Sequence, residues 1–166
     1  MSDVYKGYNR VEGVKRCLCM VHLRRYFAES LPSDKTLHST SVAAKAIEYI
    51  GQIYNIEGLL RDKTTEERYE ERLAKEKPLL DALFAYLESV TVTGNGNPAK
   101  AVNYALNGKP YYYTYLENGD LPIDNNRAEQ VIRPFTVGRK NWLFSNTARG
   151  ARASAAYYFH YFHCSG

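Results

Sequence analysis

Two stretches of this chain repeat their apolar residues at the spacing of one helix face, and that repeat limits the fold more than any other feature. Val42, Ala46, Ile50, Ile53, Tyr54, Ile56 and Leu60 recur at helical steps, which predicts a helix of about five turns. Residues 66–89 repeat the pattern with Tyr69, Leu73, Leu80, Leu83, Phe84 and Leu87, their other faces charged. Pro78 interrupts this second run and predicts a kink or a new helix start, because proline lacks an N–H and its ring crowds the preceding turn. A chain organised in this way is mainly α.

The flanking segments are shorter. The run VKRCLCM, 14–20, has an apolar centre and partial alternation, which predicts a buried strand; a helix through HLRRYF follows it. TGNGNP is a loop, after which Asn97 as N-cap and Pro98 at the first helical position predict a helix to about Asn107, closed by Gly108. Asn118-Gly119 marks a turn. Ala128, Val131, Ile132 and Phe135 stand at i, i+3, i+4 and i+7 and predict a helix over 124–133. WLFS reads as a short strand or an extended loop, and residues 150–162 as a last helix.

At 166 residues the chain fits one domain with a real core. Fifteen tyrosines point to packing surfaces that stay partly wet. No stretch approaches the roughly 20 apolar residues of a membrane span, and three cysteines, Cys17, Cys19 and Cys164, do not make a disulfide framework. A cytoplasmic protein with reduced thiols and no membrane contact is therefore expected. The net charge of +4 is unevenly spread: residues 1–27 carry six basic and two acidic side chains, residues 127–152 carry six and one, and the rest is net negative. Two basic ends around an acidic middle fit a polyanionic partner, although charge alone does not identify it.

Glu129 is the only acid between Arg127 and Arg152. On the expected helix it sits about 110° from the centre of the apolar stripe, a half-buried flank position. It fits a capping box with Asn126 as N-cap, an i, i+4 pair with Arg133, or a cation ligand. Asp3 by itself reads as a solvated terminal residue. Cys17, Cys19 and His22, with His160, His163 and Cys164, offer zinc-type donors, but the spacing is no recognised finger and a buried strand explains the first two thiols equally well. There is no phosphate-cradling glycine loop.

Three blocks carry a resemblance. SDVYKGYN, CMVHLRRYF and ENGDLPIDNNRAEQVIRPFTVGRKNWLFSNTARGARASA resemble, in order and approximate spacing, the transposases of the insertion sequence 66 family, over residues 1 to about 162. The resemblance implies the carboxyl-terminal part of a ribonuclease-H-like catalytic core of DDE type, with one or two strands and a large all-helical insertion, mainly α and α+β overall. Residues 1–30 and 111–166 are then core segments and 31–110 the insertion. It implies that Asp3 and Glu129 are two of three carboxylates holding Mg2+ (or Mn2+). Hard oxygen ligands suit magnesium, and two such ions drive in-line displacement at phosphorus. Arg127, Arg133, Arg139, Lys140 and Arg149 would meet the DNA backbone, with His22, Arg24 and Arg25 near the same path.

The family's first aspartate lies upstream of Asp3 in a segment absent here, so the resemblance implies cleavage and strand transfer of DNA by the intact, nucleoid-associated protein and no activity from these residues alone. The rival readings are a catalytically dead DNA-binding remnant that pairs with an intact transposase or forms a homodimer, and a zinc-stabilised structural module.

Overall fold

The computed structural model describes residues 13, 15–126, 129, 130, 133, 147–153, 155 and 156. The chain divides into two compact units, Met1–Asp124 and Asn125–Gly166. The described part of the first unit is helical: α1 (Met20–Glu29), α2 (Val42–Leu59), α3 (Thr65–Glu71), α4 (Lys77–Ser89) and α5 (Asn97–Tyr112), with 3-10 turns at Lys35–Leu37 and Thr114–Glu117 and a π turn at Arg72–Glu76. None of these helices is long and apolar enough to cross a membrane.

Side-chain caps start α2 and α3. The Ser41 hydroxyl accepts the Ala44 N–H at 3.1 Å and caps α2. Thr64 and Glu67 form a reciprocal capping box at the head of α3, which satisfies two of the donors a helix start leaves open. α2 buries Ala43, Ala46, Ile50 and Ile53, and α4 buries Leu80, Leu83, Phe84 and Leu87. These stripes meet: α1 packs on α2 and α5, and α4 packs on α2 and α5. Met20, Leu23 and Phe27 of α1 complete the core with Tyr112, Tyr115 and Leu116.

Four expectations change. The strand over 14–20 is not formed among the described residues; residues 15–19 are extended, with a single bridge position at Leu18. Its N–H donates to Tyr111 O, and Met20 N–H to Ile123 O, each at 3.2 Å. These bonds tie the segment to the end of α5 and to the 118–124 segment. Second, α5 does not close at Gly108. It continues through Pro110 to Tyr112, and its N-cap is Gly96 rather than Asn97. Gly108 is a packing glycine: a Cβ there would lie 2.6 Å from Leu18 Cδ1 and 2.8 Å from Tyr112 Cε2.

Third, the second apolar run divides: Pro78 stands at a new helix start as expected, in the first turn of α4, but a π turn precedes it, where the Lys77 N–H reaches back to Arg72 O. The wider turn relieves the clash a proline ring would make with the carbonyl four residues before it. Tyr69 and Leu73, expected in the apolar stripe, are exposed at 40% and 37%.

The fourth change is the burial of two charges expected on an outer face. Arg72 and Glu76 are 2% and 0% exposed. Arg72 Nε donates to Glu57 Oε1 at 2.5 Å. Its Nη1 lies 3.0 Å from Leu121 O, 3.1 Å from Asn118 O, 3.3 Å from Gly119 O and 3.4 Å from Tyr115 O. The Tyr115 hydroxyl donates to Glu76 Oε2 at 2.8 Å. Burial first, then the Glu57 carboxylate, pushes the Glu76 carboxyl up to about 8. Asp120 secures the same turn from outside, accepting from Thr65 Oγ1 at 2.6 Å and from Arg68 at 3.0 Å.

Two predictions follow from this packing. Gly119 lies so close to α3 that a Cβ would fall 2.0 Å from Thr65 O; Gly119→Ala should destabilise the chain by about 1–3 kcal/mol in urea unfolding, since backbone has to shift. The second concerns pH. The folded chain keeps a proton on Glu76 that an unfolded glutamate, at 4.5, gives up, so this group's contribution declines as pH rises from 4.5 to about 8 and then levels. Asp34, Glu67 and Asp81, all shifted downward by hydrogen bonds, act below that window. Comparing melting temperatures of wild type and Glu76→Gln across it should show the decline in wild type alone.

Candidate functional site

The first unit brings two of the resembling blocks together. Because α1 turns Met20, Leu23 and Phe27 inward, Arg24 and Arg25 are left exposed and His22 half-buried. The Met20 N–H to Ile123 O bond ties the start of this helix to the PID segment. Asp124, half-buried, lies in the same neighbourhood. Burial, and after it the Asp124 carboxylate, raises the Tyr54 phenol above its usual range, while Arg24 opposes the shift. α1, α2 and the end of the 118–124 segment therefore share one local field.

The charges in this unit are not equivalent. Lys15, Lys45, Lys63, Arg68, Arg72, Lys75, Lys77 and Lys109 each pair with a carboxylate. Arg24 and Arg25 are in no ion pair among the described residues, and their charge is open to an external anion.

In the second unit, residues 126, 129, 130 and 133 are helical. The Glu129 N–H donates to Asn125 O at 2.9 Å. This bond reaches back across one helical turn to Asn125, just before the helical residue Asn126. Glu129 is exposed rather than half-buried, and Arg133, one turn on, is exposed as well. Residues 148–153 form a helical segment that starts before the expected Gly150. Thr147 Oγ1 caps it by accepting the Gly150 N–H at 3.1 Å. Arg149 is exposed in its first turn.

Asp3, Arg127, Arg139 and Lys140 lie outside the described residues, as do His160, His163 and Cys164. Cys17 and Cys19 are buried thiols. Among the described residues no three His, Cys, Asp or Glu side chains stand together as a metal site. Glu129, an exposed hard oxygen donor, suits magnesium better than zinc. Sequence reading missed the clamp around Arg72; the only signal for it was a basic and an acidic residue four apart beside a proline.

The model of the IS66 family of transposases matches residues 1–153. Three uncharacterized proteins of Sinorhizobium fredii are similar. The chain is 26% identical to y4hP over 93% of its own length and 31% of that protein's, and 32% identical to y4qI over 87% and 26%. It is 23% identical to y4jD over 91% and 29%. The chain thus spans less than a third of the length of these relatives. No solved structure matches it. With nearly its whole length matched by the family model, the chain belongs to the IS66 family of transposases.

Proposed function

We propose that this chain is the carboxyl-terminal part of a DNA-cutting and joining catalytic domain of ribonuclease-H-like type. In this reading α1 and the segments around Glu129 line a DNA backbone path, and α2 to α5 form the helical insertion. The observation that carries the reading is the meeting of the CMVHLRR and PID segments, tied by the Met20 to Ile123 bond, beside two exposed arginines outside any described ion pair. Family membership supplies the reaction class.

Asp3 and Glu129 would hold magnesium or manganese, which when bound activates the attacking oxygen and stabilises the leaving one in phosphodiester displacement. The chain's own part is electrostatic and positional. Arg24, Arg25, Arg133 and Arg149 are exposed and neutralise phosphates, with Arg127, Arg139 and Lys140 extending the path and His22 beside it. Backbone contacts of this kind fix register and carry no sequence information. The DNA is that of the element's ends and its target.

Titrating labelled duplex at several salt concentrations tests the path. Affinity should fall steeply with salt and differ little between sequences, and Arg25→Ala should weaken every duplex alike while reducing the salt slope by about 1. Affinity indifferent to salt would remove the assignment. For the metal carboxylate, Glu129→Gln in the longer protein that carries this chain should abolish magnesium-dependent nicking of supercoiled plasmid and leave duplex affinity intact. Nicking that survives the substitution would remove Glu129 from the metal set.

A further inference from the structure

α1 and α5 run antiparallel, joined at one end by the Asn97 side chain donating to Glu29 O at 3.3 Å and at the other by the Leu18 N–H donating to Tyr111 O. Midway between, Tyr26 and Tyr104 stack with ring centroids 4.0 Å apart and planes 20° from parallel. Both rings pack against the core yet remain partly exposed. Each ring is half-buried, so part of the stacked pair meets solvent.

Cations frame the pair. At 100° per residue, Arg25 lies on the outward side of Tyr26, whereas Arg24 falls on the opposite flank of α1, toward Tyr54 of α2. Lys100 precedes Tyr104 by one turn on the same side of α5. Arg25 and Lys100 are exposed, and neither is in an ion pair among the described residues. The one acid on this side of α1 is Glu29, exposed at its end. His22, four residues before Tyr26, shares its stripe.

From this arrangement we infer that the Tyr26–Tyr104 pair is a stacking platform for an unpaired DNA base, with Arg25 and Lys100 holding the phosphates on either side of it. The inference rests on the DNA-binding reading above and narrows it to single-stranded DNA at this face. Tyrosine faces with flanking cations are the elements that hold single strands without regard to sequence. In a duplex the base faces are already stacked on one another, so the platform favours a strand that has lost its partner.

Anisotropy of a labelled oligodeoxythymidylate and of a duplex, each titrated with the full chain, tests this. Tyr26→Leu should weaken single-strand binding about tenfold and leave duplex binding unchanged; Tyr26→Phe, which keeps the ring, should match wild type. Arg25→Ala should weaken both. The platform is overturned if Tyr26→Leu binds single strands as wild type does, or loses both forms equally with an unchanged melting temperature. If Tyr26→Leu melts early, photocrosslinking of wild type to a bromodeoxyuridine-containing single strand decides. Crosslinks at Tyr26 or Tyr104 support the platform, and crosslinks elsewhere overturn it. Wild type that binds neither form removes the DNA-binding reading itself, whereas duplex binding without the Tyr26 effect removes only the platform.

Discussion

One guanidinium organises the first unit. Arg72 is buried, and a buried charge is tolerated only where its donors are matched. Here Glu57 takes Nε, and the carbonyls of the 115–121 segment surround Nη1. That segment has no regular structure beyond a 3-10 turn, so its carbonyls need partners supplied from elsewhere. Arg72 provides them from the middle of the α3–α4 helix pair. Arg68 and Thr65 hold Asp120 of the same turn one and two helical turns earlier. The helices of the middle region thus set the path of the chain as it approaches Asp124.

This gives the helical region a role that helical patterning alone does not suggest. α1, which carries one matched block, shares one apolar core with α2, α4 and α5. The matched blocks on α1 and around Ile123 are built into that core from both sides. A substitution far in sequence from any matched motif, at Glu57, therefore acts on the segment that leads to Asp124.

The parts of the fold legible in the sequence were those governed by one local rule. The apolar step of α2 is unbroken, and its observed end lies one residue from Leu60. The charged sides of α3 and α4 were legible only as charge. Nothing local separates Arg72 and Glu76 from the solvated lysines and glutamates around them, because their partners lie far along the chain: the 115–121 carbonyls for Arg72 and the Tyr115 hydroxyl for Glu76. The VKRCLCM run was legible in part for a related reason: apolar alternation reports a buried backbone, and the strand ladder it suggests depends on a partner that local sequence does not specify. Likewise Gly108 looked like a helix stop until Leu18 was seen filling the space beside it. For the candidate site, the matched motifs marked His22, Arg24, Arg25 and Glu129. Which cations are already spent on carboxylates was not legible, since cross-chain pairs such as Lys109 with Glu88 follow from packing.

The π turn at Arg72–Glu76 has a geometric consequence of its own. An α-helix advances 100° per residue, and a five-residue bond step inserts what amounts to one extra residue into that count. The stripe that faces the core in α4 is therefore out of phase with the same spacing read backward into α3. This accounts for Tyr69 and Leu73 standing exposed although they continue the apolar period of Leu80 and Leu83. The phase step also turns Arg72 inward, beside Glu76, which shares the face of Leu80 four residues on. A helix of this length with one residue fewer would bring Tyr69 and Leu73 toward the core and carry the guanidinium away from the carbonyls it serves. The length of this turn is in that sense a rotational setting for everything that α3 presents.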